Sequence, residues 1–270
     1  MHKSRLNLKR SLISLFAIVF SGMAWSGLAA DEKRPHSAEW SYDGGKGPRH
    51  WAELSPAYRL CREGKRQSPI DLREDAAFAA NGVPLKFSYQ PDTVDEVNNG
   101  HTVEEIIHNG SSVTYDGRKY QLKQFHFHSH SEHTVNGHPY PLEIHLVHQD
   151  EEGHVLVVGV FFEEGKANPA LEPMLRHLPK KPGGHEIDNM ERIDLRALLP
   201  KRSPVFTYDG SLTTPPASEG VRWFVYQRPM TISAKQLEAF KKLYDHNYRP
   251  VQPLNGRMVG LFRNSPAKKK

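Results

Sequence analysis

The chain has 270 residues, with 36 Lys and Arg against 31 Asp and Glu, a net charge of +5, 16 His and a single Cys. One cysteine excludes a disulfide framework within the chain and any all-Cys zinc cluster, and 37% hydrophobic with 10% aromatic residues argues against global disorder. The basic excess invites a nucleic-acid reading, but the positions of the charges remove it. Residues 1–30 hold Lys3, Arg5, Lys9 and Arg10 and no acid, followed by an apolar run from Ser11 to Phe20 and a small-residue stretch to Ala30. This is the pattern of a secretory signal peptide, with cleavage expected near Ala29-Ala30. Without those four bases the remainder has 32 basic and 31 acidic residues, net +1. Lys268, Lys269 and Lys270 read as a solvated tail. The expectation is export, to the periplasm in a Gram-negative cell, with no stable membrane anchor and no nucleic-acid partner.

From residue 31 to 270 no repeat or low-complexity linker interrupts the chain, so one domain is expected. Turn signals recur at Asn81-Gly82, Asn99-Gly100, Asn109-Gly110, Asp116-Gly117, Asn136-Gly137, Glu152-Gly153 and Asp209-Gly210. Between them, residues 121–128, 142–148, 155–162 and 221–227 have strand character. Helices are few. One is expected over 169–177, capped by Asn168, and one over 233–244, where Ser233 precedes Leu237, Phe240, Lys241 and Tyr244 at helical spacing. Many strands and few helices predict a mainly β (α+β) fold built on one large, mostly antiparallel sheet.

Ten of the 16 His lie between His101 and His154. Along 124–128, Phe125 and Phe127 alternate with Gln124, His126 and His128. Successive side chains of a strand take opposite faces, so His126 and His128 project together, roughly 6–7 Å apart. In 142–148 the same alternation groups Glu143, His145 and Val147. If the two strands pair, His145 joins His126 and His128. Three imidazoles with an open position suit a catalytic zinc. Gln124 and Glu143 lie on the correct faces to hold the second nitrogens of two of them. His130 continues the period, but the flanking Ser129 and Ser131 suggest that the strand has ended, and it reads as a surface residue.

These residues belong to a longer series: Trp40-Ser41-Tyr42, Gln67-Ser68-Pro69-Ile70-Asp71, Asn98-Asn99-Gly100-His101, Gln124 to His128, Ser131-Glu132-His133-Thr134-Val135, Glu143 to His148, Gly210 to Pro216 and Asn247-Tyr248-Arg249-Pro250. In this order the chain resembles the alpha-class carbonic anhydrases of the bacterial, secreted branch. The resemblance implies a twisted sheet of about ten strands with small peripheral helices, and reversible hydration of carbon dioxide to bicarbonate and a proton. It names His126, His128 and His145 as Zn2+ ligands, with attack by zinc-bound hydroxide. It implies an apolar substrate pocket from Val147, Val157, Leu212, Thr214 and Trp223, and a Thr213–Glu132 pair in which the ionised carboxylate takes the hydroxyl proton. It places His101 as the proton shuttle, with Tyr42 and Asn99 ordering the water between. His133 is expected to satisfy buried polar groups. A homodimer is a further possibility the branch suggests.

Two positions depart from the family. Glu104 stands where a neutral Asn or Gln is usual. Cys61 lacks its usual partner, since the position after the Thr-Thr-Pro-Pro turn is Ala217, so Cys61 is either a buried thiol or a link between chains. Two other function classes stand as alternatives: a periplasmic zinc-buffering protein, suggested by the 16 His, and a non-catalytic relative acting as a binding module, which would have lost a ligand His, whereas all three remain here. A zinc esterase would be a side activity of the same centre.

Overall fold

The computed structural model describes residues 38–80 and 85–263. The leader with its cleavage site, the Asn81-Gly82 turn and the C-terminal lysines lie outside the described residues. Fifteen strands are present among the described residues. The first six are β1 (Asp71–Leu72), β2 (Phe78–Ala80), β3 (Lys86–Ser88), β4 (Asp92–Asn98), β5 (Val103–Ile106) and β6 (Ser112–Tyr115). The middle of the chain adds β7 (Arg118–His128), β8 (Thr134–Val135), β9 (His138–Pro139), β10 (Leu142–Gln149) and β11 (Val155–Glu164). The last four are β12 (His185–Ile193), β13 (Val205–Ser211), β14 (Glu219–Ile232) and β15 (Gly260–Phe262). Four short helices accompany them: α1 (Trp51–Leu54), α2 (Leu60–Glu63), α3 (Glu172–His177) and α4 (Ala234–Lys241).

Twelve strands form one sheet, whose main path runs β12-β4-β5-β7-β10-β11-β14-β13-β15-β2, with β6 joining β3 to β7; β1, β8 and β9 form a small second sheet. Most pairings are antiparallel, as expected, but β11 lies parallel to β14, β15 parallel to β2 and, in the small sheet, β1 parallel to β8. Both β11 and β14 were legible as strands over 155–162 and 221–227, but their parallel pairing was not, because the apolar run of a strand buried on both faces carries no orientation.

The strand centres carry two different faces. Phe125, Phe127, Ile144, Leu146, Val158 and Val160 point into the larger hydrophobic core. Val147, Val157, Phe161, Trp223 and Val225 belong to a second cluster on the opposite side. The pairing of β7 with β10 slips between Val147 and His148, which face Gln124 and Leu122. The bulge at Lys123 puts Tyr120 and Leu122 on the same buried face as Phe125 and Phe127, despite the odd spacing. α4 forms where expected. Ser233 caps it with a full capping box to Gln236, and Leu237 and Phe240 pack into the larger core. Asn168 likewise accepts from the Ala170 amide at the start of the 169–177 segment, which begins as one 3-10 turn before α3.

One turn expectation is corrected. Asp209-Gly210 lies inside β13. Glycine is required there for space: a Cβ on Gly210 would lie 2.2 Å from Ser68 Oγ and 2.8 Å from the Trp223 ring.

Candidate metal centre

The β7–β10 register sets His126 opposite His145 and His128 opposite Glu143. One nitrogen from each of His126, His128 and His145 lies within 4.8 Å of the other two. Their rings are 4.5 to 5.5 Å apart. The remaining nitrogen of each is held. His126 Nδ1 meets Gln124 Oε1 at 2.8 Å, His145 Nε2 meets Glu143 Oε1 at 2.9 Å, and His128 Nδ1 donates to the Asn247 carbonyl at 2.6 Å. The first two partners were legible as face-sharing neighbours. The third was not, because Asn247 is 119 residues away along the chain; its Asn-Tyr-Arg-Pro motif was visible, but not its role.

With those partners fixed, the inward nitrogens are His126 Nε2, His128 Nε2 and His145 Nδ1. His128 Nε2 is buried with no hydrogen-bond partner. Burial pushes the imidazoles of His126 and His128 below the usual value, and the neighbouring imidazoles add to the effect. Both therefore stay neutral, as metal ligands must be. The donor set, three neutral nitrogens with secured outer partners, fits zinc.

Glu143 is the hub behind these residues. It is fully buried and accepts four hydrogen bonds: Oε1 from His145 Nε2 and His133 Nδ1, Oε2 from the amides of Glu132 and His133. Burial alone would raise its carboxyl, but electrostatic attraction to the His133 and His145 rings and the hydrogen bonds from them outweigh burial and hold it below the usual carboxylate range. His133 continues the chain outward through Nε2 to Tyr208, whose hydroxyl meets Ser68, so it satisfies buried polar groups. Glu143 has this room because Gly159 lies opposite His145 on β11. A Cβ at Gly159 would stand 2.9 Å from Glu143 Oε1 and 3.3 Å from the Val225 methyls. Gly159→Ala is expected to cost about 1–3 kcal/mol and to weaken metal binding; unchanged denaturant unfolding and unchanged zinc affinity would contradict this.

Glu132 lies beside the same nitrogens. Its Oε2 is 3.5 Å from His128 Nε2 and 3.8 Å from His145 Nδ1, and it is buried without a hydrogen-bond partner. Oε1 accepts the Arg249 amide at 2.8 Å. The Arg249 side chain, 1% exposed, donates to Gln67 Oε1 and to the carbonyls of Ser68 and Cys61. Thus Arg249 ties Glu132, through its amide, to residues 61–68, through its side chain. Cys61 is a half-buried free thiol, raised by burial, and Ala217 is fully buried.

Thr213 is buried in a turn held by Leu212 N to Ser218 O and Ala217 N to Thr214 O. Trp223 Nε1 donates to Ser211 O at 3.0 Å, fixing the same turn. Gln124, Val147, Val157 and Trp223 form one cross-strand row over β7, β10, β11 and β14, adjacent to the row of His126, His145 and Gly159. Leu212 packs against the same apolar cluster. Thr214 is half-buried in the turn.

His101 is partly exposed and stacks on Trp40 with ring centroids 3.7 Å apart. Tyr42 meets the His101 ring edge-on. Asn99 Oδ1 accepts from the His101 and Thr102 amides, and its Nδ2 donates to Glu104. Glu104 is the cross-strand partner of His126, and burial raises its carboxyl against the Asn99 hydrogen bond. His130 is half-buried and stands apart from the three inward imidazoles, with its ring 6.2 Å from His246.

The family model described as eukaryotic-type carbonic anhydrase matches residues 46–262. A carbonic anhydrase from Pectobacterium carotovorum is 38% identical over 252 residues, covering 93% of this chain and 98% of that one. One from Nostoc is 39% identical over 255 residues, covering 93% and 96%. Among solved structures, the alpha-carbonic anhydrase from Thermovibrio ammonificans in complex with the inhibitor sulfanilamide superposes with a TM-score of 0.80 at 48% identity, over 83% of this chain and 99% of that one.

Proposed function

The chain belongs to the eukaryotic-type (alpha) carbonic anhydrase family and is a carbonic anhydrase, and from that premise we propose how its own residues carry out carbon dioxide hydration. The observation that carries the proposal is the unpartnered, buried Nε2 of His128 among three imidazoles whose outer nitrogens are all engaged. His126, His128 and His145 hold Zn2+. When bound, zinc supplies a Lewis acid that makes water nucleophilic near neutral pH.

The protein's part is orientation, desolvation and proton handling. Glu132 has one oxygen committed to the Arg249 amide and the other free to accept a hydrogen bond from the Thr213 hydroxyl. Thr213 Oγ1 is then an acceptor toward the reacting centre, and it selects a nucleophile that has a proton to donate. Val147, Val157, Leu212 and Trp223, with Thr214 at the turn, form a wall suited to a small uncharged substrate. Burial and the Glu132 charge push the Tyr42 phenol well above its usual value, so Tyr42 stays protonated and can order water together with Asn99.

His101 takes the proton outward at its imidazole. Burial lowers its pKa, opposed by the Glu39 carboxylate. The His101-dependent rise of kcat with pH therefore has its midpoint below that of a free imidazole. His101→Ala lowers kcat severalfold in dilute buffer and added imidazole restores it; an unchanged kcat would remove His101 from the mechanism.

The deciding experiment is stopped-flow carbon dioxide hydration with metal analysis on the same sample. One zinc per chain, and activity lost to a chelator and to sulfanilamide, is the expected result. Several metals per chain without activity would support a zinc buffer, and neither metal nor activity would support a binding module. We further propose that residues 1–30 are a signal peptide and that the 31–270 catalytic domain works in the periplasm. Among the described residues no helix is long and apolar enough to cross a membrane. N-terminal sequencing of the exported protein tests the cleavage point.

A further inference from the structure

Glu96 on β4 stands opposite Glu105 on β5 and, on its other side, opposite Glu186 on β12. Directly opposed residues of neighbouring strands share a face, so a row of three carboxyls crosses the sheet. Glu186 is exposed, but Glu96 is 0% and Glu105 1% exposed. Neither oxygen of Glu96 has a hydrogen-bond partner, nor has Oε2 of Glu105; the other Glu105 oxygen accepts the Asp95 amide at 2.6 Å. Two unpaired carboxylates in an interior are too costly to remain ionised together.

Among the described residues no neighbouring base neutralises them. On β4, Asp92 and Asp95 are acidic and oppose ionisation of Glu105. His108 and His185 are engaged by the two oxygens of Asp95, at 2.5 and 2.6 Å. On α3, packed over β4 and β12, Arg176 is bound to Glu191 and His177 faces Asp188 and Glu191. From β7 the residue opposite Glu105 is Phe125. Among the described residues, no group of three metal-ligating side chains includes Glu96 or Glu105, so a metal would find two protein ligands at most. The remaining neutraliser is a proton.

We propose that Glu96 and Glu105 are a buried pair of neutral carboxyls that keeps the β4–β5 hairpin closed only while they hold their protons. Burial, aided by the Glu105 and Glu186 charges, pushes Glu96 up to about 9. Burial, aided by Asp95 and Asp92 and opposed by the Asp95 amide, pushes Glu105 up to about 8. In the unfolded chain both ionise near pH 4.3. The folded form therefore binds more protons between that value and pH 8 to 9, and its stability falls as pH rises through this window. At the top of the window both carboxyls ionise, and opening the hairpin relieves the repulsion. The hairpin ends in the Asn99–His101 turn, so the pair sets an alkaline limit on that turn. This last consequence rests on the proposed role of His101; the pair itself does not.

The test is an infrared pH titration of the unaltered protein, with thermal unfolding of Glu96→Gln and Glu105→Gln over the same pH range. A protonated-carboxyl carbonyl band present at neutral pH, lost at alkaline pH and reduced in both variants, is expected. Each variant should gain on the wild type by roughly 3–5 °C per pH unit between about pH 5 and 8. No such band, or unfolding curves that run parallel in pH, would overturn the proposal. So would calcium or zinc raising the wild-type midpoint through a site that Glu96→Gln removes. The infrared titration stands even if the variants do not fold.

Discussion

Replacing His128 with alanine is expected to abolish carbon dioxide hydration and bound zinc together. The side chain is 1% exposed, its Nδ1 is tied to the Asn247 carbonyl, and its Nε2 has no hydrogen-bond partner among the described residues. A buried nitrogen without a partner costs about 1–3 kcal/mol, a cost that a ligated ion offsets. Binding to the folded form alone stabilises it by about 4 kcal/mol at 1,000 times Kd. That corresponds to a rise in Tm of roughly 8–16 °C for a domain of this size. The wild type should show such a rise on zinc addition to the chelated protein, and His128→Ala should not. His108→Ala, on an exposed residue paired with Asp95, serves as the control and should keep both activity and metal. A His128→Ala protein that still bound one zinc tightly and turned over would sink the ligand assignment.

The second large effect belongs to Glu143, which touches no substrate. Glu143→Ala leaves four donors without an acceptor in a fully buried site. Removing one partner from a buried charged network costs about 3–5 kcal/mol. Loss of the carboxylate behind His145 also weakens metal affinity by about 10–100-fold. Glu143→Gln keeps the size but turns one acceptor into a donor facing donors, so it should recover only part of the loss. Chemical denaturation of the metal-free protein and zinc competition against a chelator separate the two effects. A stability loss under about 1 kcal/mol together with unchanged zinc affinity would show that the hub is redundant.

The parts of this centre that could be read from sequence are those set by strand periodicity. Gln124, His126 and His128 share a face because each is two residues from the next, and Glu143 and His145 do likewise; no longer-range knowledge is needed to group them. Only their pairing had to be supplied, and β7 against β10 supplies it. The illegible parts come from distance and from backbone. Asn247 and Arg249 reach His128 and Glu132 from 119 and 117 residues away, with no periodic signal to announce them. The bulge at Lys123 resets the alternation of β7 without any Gly or Pro to mark it. Asp209-Gly210 gave a turn signal although its glycine serves close packing within a strand. Gly159 sits in an apolar run, where a missing side chain reads as a weak strand position and not as room for a carboxylate. Glu96 and Glu105 look like solvent-facing charges in sequence; only the sheet shows them to be interior.

The Asn247 and Arg249 contacts also bear on the order of events in a newly made chain. The imidazoles at 126, 128 and 145 are synthesised and can pair on adjacent strands well before residue 247 exists. Until then His128 Nδ1 lacks its carbonyl, Glu132 lacks an amide donor, and residues 61–68 are not tied to it. A metal ion arriving early would meet loosely aimed ligands. The tight site exists only once the last segment has docked, so metal selection falls to whichever compartment holds the finished chain. Under the export proposed above, loading would follow translocation, under the metal supply outside the cytoplasm.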